Sequence, residues 1–240
     1  MKQLKLILCT AIFFAFSLKG DKMPYQLYDV KGKLTTYDKM LKEIIQKEKP
    51  DMIFFGEQHN NPICHWLELK LTEDLYAAYK DKMVMGAEMF ESDDQLVVNE
   101  YLSGLISEKT FVDEVKEWSN YKTDYKPLLE FAKKNKLPFV GTNVPRRYAN
   151  VVYNKGLAAL DSIDSIAKKY IAPIPIRFNE HLKCYEDITK AAEGHNVENL
   201  AKSQAIKDAT MAYFILKNWS KGNQSRKAYL LVSNDSPRKL

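Results

Sequence analysis

Short apolar runs alternate with segments of helical periodicity along the chain. Continuous apolar runs bounded by turns are typical of parallel strands that are buried on both faces. The predicted strands cover residues 52–56, 83–88, 138–143 and 228–232. The predicted helices cover residues 39–47, 62–80, 93–102, 110–118, 125–134 and 202–219, and one more begins at Pro145. This alternation predicts a parallel sheet with right-handed crossover connections.

Residues 155–200 interrupt the alternation. Residues 161–170 are amphipathic, but Pro173 and Pro175 then impose an extended break, and the stretch around Gly194 is polar. We interpret this segment as a helical insertion or small lobe. The sequence therefore predicts an α/β protein, in which a central, mainly parallel sheet is flanked by helices and residues 21–240 form one domain with this insertion.

The first twenty residues have the pattern of a signal peptide. Two lysines precede the apolar run 6–16, and small residues follow it as a cleavage site requires. The run is short for a transmembrane helix, and Cys9 lies in its middle rather than just after it, so no lipoprotein signal is predicted. We expect residues 1–20 to be removed as the protein is exported to the periplasm or cell envelope.

The charge pattern excludes one class of partner. The formal charge is +5, and removing residues 1–20, which contain Lys2, Lys5, Lys19 and no acidic residue, lowers it by three. The remaining lysines and glutamates are interspersed, as on a solvated surface, and form no basic stripe. We therefore expect no nucleic-acid partner.

Two cysteines, Cys64 and Cys184, remain after the predicted cleavage. An oxidising compartment permits a disulfide between them. Spacing alone does not decide pairing, so a disulfide and two free thiols both remain open.

Polar side chains follow three of the predicted strands where each strand ends. Glu57 and His59 follow the first strand, Glu88 ends the second, and Asn143 ends the third. Ligands of open parallel sheets bind beyond the carboxyl ends of the strands, and we expect these three strand ends to be adjacent, so that the side chains share one edge. Two carboxylates, an imidazole and an amide suit a metal, a haem or acid–base chemistry. A single acid at a strand end is more often a partner of a helix N-terminus, and only the coincidence favours a site.

Further candidates lie close to these strand ends. His65 lies in the helix after Glu57 and could reach the same site, whereas Cys64 is expected to face the core. Arg146 and Arg147 begin the helix after Asn143 and suit an anionic group such as a propionate, although a solvated basic turn is an equal alternative.

Tyrosine supplies a further class of candidate ligand. The sequence contains 14 tyrosines, and a phenolate can be an axial ligand of haem iron. Tyr148, beside the two arginines, is the candidate that we consider, against the alternative of a packed aromatic side chain. His181 and His195 are expected to be surface histidines.

Four stretches in this order resemble the ChaN-like haem-binding uptake proteins, in the superfamily that includes the Tiki proteases and the erythromycin esterase-like hydrolases. The stretches span roughly residues 50–215 and are 55–59 (FGEQH), 86–91 (GAEMFE), 143–147 (NVPRR) and 204–212. The resemblance implies an iron-regulated, haem-binding protein of the bacterial envelope for haem or iron uptake or storage. It also implies a homodimer that encloses haem, tyrosine ligation assisted by histidine, and a partnership with outer-membrane uptake machinery.

The same resemblance implies an alternative, a metal-dependent hydrolase. In that case Glu57, His59 and Glu88 would be the catalytic residues and the ligands of a divalent metal such as zinc or manganese.

The superfamily carries a second glycine-x-x-histidine turn after its last strand, and residues 233–240 contain neither glycine nor histidine. We therefore expect a chain that is truncated at its C-terminus, and an inactive copy is a third alternative. Loss of this turn weakens the hydrolase most, because hydrolysis needs a complete constellation whereas binding tolerates a partial loss.

Overall fold

A computed structural model describes residues 23–115, 119–191, 197–220 and 227–233, and for the last segment its backbone alone. The predicted signal peptide and the segment after residue 233, to which the prediction of truncation refers, lie outside these residues. The chain divides into two units, Met1–Thr36 and Tyr37–Leu240.

The first unit contains a small antiparallel hairpin. Strands β1 (Leu27–Tyr28) and β2 (Leu34–Thr35) pair with each other. The turn between them is closed by Asp29, whose Oδ1 accepts hydrogen bonds from the backbone amides of Lys31 and Lys33. None of the described residues of this unit is buried.

The second unit is built on a four-stranded sheet in which every pairing is parallel. Its strands are β3 (Met52–Glu57), β4 (Met83–Glu91), β5 (Phe139–Asn143) and β6 (Lys227–Ser233). The order across the sheet is β3-β6-β4-β5, so the last of the described strands lies between the first two strands of the sheet. The predicted α/β class is confirmed. The prediction that the ends of β3 and β4 are adjacent is wrong, because β6 inserts between them.

Eight α-helices are found in the described part of the chain. They are α1 (Tyr37–Lys42), α2 (Pro62–Tyr79), α3 (Gln95–Ser103), α4 (Glu108–Glu114), α5 (Lys126–Asn135), α6 (Arg146–Lys155), α7 (Lys183–Ala191) and α8 (Val197–Ser220). A π-helical turn, Glu43–Glu48, continues α1, and another, Tyr121–Tyr125, leads into α5. Residues 161–170, expected to be amphipathic, contain parts of two 3₁₀ segments, Leu157–Ser162 and Ala167–Tyr170. Among the described residues, no helix combines the length and the hydrophobicity that a membrane span requires.

Apolar residues cover both faces of the sheet. Strand β4 is buried along its whole length, as its continuous apolar run predicts. Met85 packs in a cluster with Leu75 of α2 and Leu129 of α5, whereas its neighbour Val84 packs with Ile215 of α8. Successive side chains of a strand point to opposite faces, so α2 and α5 cover one face of the sheet and α8 covers the other.

Candidate functional site

Glu57 ends β3 and is completely buried at the carboxyl edge of the sheet. Its Oε1 accepts a hydrogen bond of 2.6 Å from the hydroxyl of Tyr125. The same oxygen lies 3.1 Å from Nδ1 of His59, whose side chain is 22% exposed. A carboxylate can only accept, so we assign the proton of this contact to Nδ1 of His59, which leaves the lone pair of the ring on Nε2. A buried carboxylate thus holds the imidazole of the turn in one tautomer.

Helix α2 brings two more ionisable side chains to Glu57. The helix begins where the Asn61 side chain accepts hydrogen bonds from two backbone amides and Pro62 occupies the first turn. His65 and Glu68 follow one turn apart, so both face the sheet, and both are buried. We refer to Glu57, His65 and Glu68 as the Glu57 group.

Short distances connect the three members of the Glu57 group. Nδ1 of His65 lies 3.2 Å from Oε2 of Glu57 and 2.9 Å from Oε2 of Glu68. Nε2 of the same ring lies 3.2 Å from Oδ2 of Asp124, which belongs to the π-helical turn before α5. One ligand atom from each member of the group lies within 4.8 Å of the others. Two carboxylates and an imidazole thus converge in a buried part of the sheet edge.

Burial and pairing act in opposite directions on these groups. Burial alone would lower the pKa of His65, but its ion pairs with Glu57 and Glu68 raise that pKa to about 10. Burial raises the pKa of Glu68, and the neighbouring Glu57 carboxylate adds to this rise. Burial acts in the same direction on Glu57, but hydrogen bonds with His65 and Tyr125 outweigh it and hold the pKa of Glu57 below its ordinary value. With no cation bound, His65 is therefore an imidazolium between two carboxyl groups.

Tyr125 supports the group as a hydrogen-bond donor. Its ring meets the His65 ring edge to face, with centroids 5.2 Å apart. Burial and the hydrogen bond to Glu57 raise the pKa of Tyr125 far above its ordinary value. The hydroxyl therefore stays protonated and orients the Glu57 carboxylate.

Two predicted residues of the strand ends lie outside the Glu57 group. Glu88 is buried within β4, which continues to Glu91, and β6 separates this strand from β3. Neighbouring strands lie about 4.8 Å apart, so β3 and β4 are about 10 Å apart. Asn143 ends β5, one strand further away, and its Oδ1 accepts a hydrogen bond from the next backbone amide, that of Val144. The predicted site is thus spread across the sheet edge.

The arginines at the start of α6 differ in their surroundings. Arg147 is held in place because Nη1 lies 2.6 Å from Oδ2 of Asp93, and its guanidinium stacks 4.6 Å from the centre of the Tyr148 ring. Arg146 is exposed. Tyr148 packs against a cluster that includes Val152, which agrees with its alternative interpretation as a packed aromatic side chain.

Sequence reasoning missed Glu68, Asp124 and Tyr125, although it noted that His65 could reach Glu57. A local signal existed for Glu68. It lies on the same helical stripe as Leu71 and Leu75, which are buried, so an acid at that position is unusual. No local signal marks Asp124 or Tyr125, because they reach the Glu57 group only through the packing of the π-helical turn before α5 against α2.

The cysteines and the outlying histidines lie elsewhere. Cys64 and Cys184 are both free thiols, so the structure contains no disulfide between them. His181 lies at the exposed edge of a cleft of about 620 Å³, beside Phe178, Lys190 and Lys202. His195 lies outside the described residues.

Comparisons with known proteins place this chain in one family. The sequence matches the model of a family described as haem-binding uptake, Tiki superfamily, ChaN, over residues 44–234. The structure of ChaN of Campylobacter jejuni, with cofacial haem binding, has a TM-score of 0.60 at 16% identity and covers 85% of this chain and 76% of that one. An erythromycin esterase mutant, EreC, in its open conformation has a TM-score of 0.46 at 12% identity, covering 82% of this chain and 64% of that one. No curated protein matches the sequence.

Proposed function

Since the chain belongs to the ChaN family of haem-binding uptake proteins in the Tiki superfamily, we propose that it binds haem. The family match covers most of the chain, including the whole carboxyl edge of the sheet. The ChaN structure from Campylobacter jejuni, which shares the fold, is described as binding haem cofacially.

The contact between His59 and Glu57 is the observation that supports a particular haem-binding site. A histidine that ligates a metal typically donates its other ring N–H to a carboxylate, which fixes the tautomer and makes the ligating nitrogen more basic. His59 has this arrangement, because Nδ1 faces Oε1 of Glu57 at 3.1 Å. Its ring is partly exposed and lies just beyond the end of β3. We propose Nε2 of His59 as a ligand of the haem iron.

Arg146 is the proposed partner of a haem propionate. It is exposed at the start of α6, beyond the end of β5, where a helix N-terminus also favours an anion. Arg147 is bound to Asp93, so we assign it the task of stiffening this turn. Tyr148 and Asn143 lie beside these arginines in sequence, and we retain both as neighbours of the proposed haem, with Tyr148 as the candidate oxygen ligand. Glu88 is buried within β4, so we retain it as a neighbouring charge of the proposed haem site and not as a ligand.

A haemin titration followed at the Soret band tests this assignment. We expect saturation near one haem per chain, and we expect His59→Ala to weaken binding at least about tenfold, as loss of a metal ligand or its support does. His181→Ala is the matched control, because His181 is an exposed histidine beside lysines in the cleft near α7. If the wild-type chain shows no Soret shift, the chain does not bind haem. If His181→Ala rather than His59→Ala weakens binding, the strand-edge site is wrong.

A metal-dependent hydrolase is the second candidate, and the buried Glu57 group is the observation that favours it. The predicted set of Glu57, His59 and Glu88 is divided by β6, so in this function the Glu57 group would hold a divalent cation such as zinc or manganese, with His59 beside it as the acid–base residue. Ester hydrolysis that depends on added Mn²⁺ or Zn²⁺ and is lost in His59→Ala, without any Soret shift on adding haemin, would establish the hydrolase and reject the haem function. An inactive copy would show neither property.

We also propose that the protein acts in the cell envelope. The support is the pattern of residues 1–20, with two lysines before an apolar run and small residues after it. Mass spectrometry of protein recovered from the periplasm tests the envelope location, since export predicts a mature chain that begins near residue 21.

A homodimer, iron-regulated expression and an outer-membrane uptake partner are further proposals that rest on the family alone.

A further inference from the structure

We propose that the Glu57 group binds one divalent transition-metal cation, at a site that is separate from the proposed haem. The ligands are one oxygen of Glu57, Nδ1 of His65 and one oxygen of Glu68. The inference goes beyond haem binding and does not depend on it.

The distances within the group match those of ligand atoms around one metal. Zinc binds nitrogen and oxygen at about 2.0–2.2 Å, so two ligands in a tetrahedral shell lie about 3.4 Å apart. Nδ1 of His65 lies 3.2 Å from Oε2 of Glu57 and 2.9 Å from Oε2 of Glu68. Both distances to Nδ1 are therefore within about half an ångström of the spacing that a tetrahedral shell requires, and the ligand atoms all lie within 4.8 Å of one another.

A separate observation concerns Glu57 Oε2. This atom is completely buried and receives no hydrogen bond of good geometry from the described residues, although Nδ1 of His65 is close. The other oxygen, Oε1, already accepts from Tyr125 and His59. A buried carboxylate oxygen without a well-aligned donor is costly, and a cation at that position satisfies it.

Surrounding residues contact two of the three proposed ligands on the side away from the cation, as the neighbours of metal ligands do. Nε2 of His65 lies 3.2 Å from Oδ2 of Asp124 without the alignment of a hydrogen bond, so a small turn of the ring would complete the carboxylate–histidine–metal arrangement that leaves Nδ1 to bind the metal. Tyr125 and His59 hold the Glu57 carboxylate through Oε1, which directs Oε2 towards His65.

The charge and the number of ligands define the kind of cation. Two carboxylates balance one divalent ion while His65 is neutral, so the buried group has no excess charge. One imidazole with two carboxylates suits Zn²⁺ or Mn²⁺, and three protein ligands leave a position for water or another small ligand. Burial of the whole group limits that ligand to a small one.

Titration calorimetry of the EDTA-treated full-length chain with ZnCl₂ tests the site. We expect one Zn²⁺ per chain, at least about tenfold weaker binding in Glu68→Gln and His65→Gln, and about tenfold weaker binding in Tyr125→Phe, which changes only the outer contacts. Glu186→Gln and His181→Gln are matched controls, because they remove an acid and a histidine that line the cleft near α7. Arg146→Gln, which should weaken haem binding, should leave Zn²⁺ binding unchanged.

A second measurement guards against variants that fail to fold. The wild-type chain loaded with Co²⁺ should show the intense visible absorption of a four-coordinate nitrogen and oxygen site, and far-UV circular dichroism should confirm the fold of each variant. The proposal is overturned if the wild-type chain binds no Zn²⁺, or if folded His65→Gln and Glu68→Gln bind it as tightly as the wild type. Haem binding without any Zn²⁺ binding would reject the metal site and leave the haem proposal intact.

Discussion

At the scale of single residues, His65 is the most constrained ionisable group of the site. It lies between the carboxylates of Glu57 and Glu68 on one nitrogen and faces Asp124 on the other. An imidazolium offsets part of the negative charge of these carboxylates when no metal is bound, and in the proposed metal-bound state the cation takes the place of the Nδ1 proton beside a neutral imidazole. The His65 ring can therefore occupy nearly the same position in the metal-free chain and in the proposed metal-bound chain.

Metal-free protein should become less stable as the pH rises through the alkaline range. The pKa of His65 is raised from 6.5 to about 10 in the folded chain, so its contribution is fully present below about pH 6.5 and is lost as the pH approaches 10. The raised pKa of Glu68 acts in the same direction at lower pH, since an acid with a raised pKa favours the folded state only while it is protonated. For one proton the free energy of unfolding falls by at most about 1.4 kcal/mol per pH unit.

Urea unfolding in EDTA at several pH values measures this slope. His65→Gln should unfold with a smaller decline between pH 6.5 and 10 than the wild-type chain, because the titrating group is gone. Equal slopes in the two proteins would show that His65 is not the group responsible.

At the scale of secondary-structure elements, close packing between β4 and β5 shapes the sheet edge beside the site. The register of this pair shifts between Ala87 and Glu91, and Asn143 pairs with Glu91 beyond the shift. Gln95 of α3 covers the outer edge of β5, because its side chain accepts a hydrogen bond from the amide of Gly141 and donates one to the carbonyl of Phe139. An edge strand capped in this way is protected from pairing with another chain.

Gly141 should tolerate no side chain. A Cβ at this position would lie 2.6 Å from the backbone oxygen of Glu91 and 3.3 Å from the Cβ of Phe90, and backbone cannot move aside as a flexible side chain can. We expect Gly141→Ala to lower the free energy of unfolding by about 1–3 kcal/mol, the usual cost of overpacking. Urea unfolding gives the value.

Gly104 provides the contrast, because it needs glycine for its backbone alone. Its φ is +80°, and no neighbouring atom lies within 4 Å of the position that a Cβ would take. Asn tolerates that backbone better than Ala, so Gly104→Asn should be milder than Gly104→Ala. At Gly141 the larger Asn should be worse than Ala. The same order of variants at both positions would contradict this explanation.

At the scale of the whole molecule, the apolar core belongs to the second unit. The described core clusters contain no residue before Met40, and the described residues before Tyr37 include none that is buried. A segment with few buried apolar contacts contributes little to global stability.

A chain that begins at Tyr37 should therefore unfold as cooperatively as one that begins at Met23. We expect their free energies of unfolding to differ by no more than about 1 kcal/mol. Leu129→Ala, at a completely buried core position, should by contrast cost about 2–5 kcal/mol. A larger loss in the shortened chain than in Leu129→Ala would show that the first unit stabilises the second.

The sequence by itself determined the local features of this protein. Hydrophobic periodicity identified the four strands of the parallel sheet and most helices, because burial on both faces of a strand leaves a continuous apolar run. The turn after β3 placed Glu57 and His59 at the carboxyl edge, and the four motifs identified the family.

Tertiary structure alone decided which polar residues meet. Strand order depends on pairing between residues distant in sequence, so no local pattern showed that β6 would separate Glu57 from Glu88. Helix packing brought Glu68 and Tyr125, rather than Glu88, to Glu57, because the apolar faces of α2 and α5 pack against the same side of the sheet. Periodicity records which residues are buried, whereas only the packed chain decides which buried charges become neighbours.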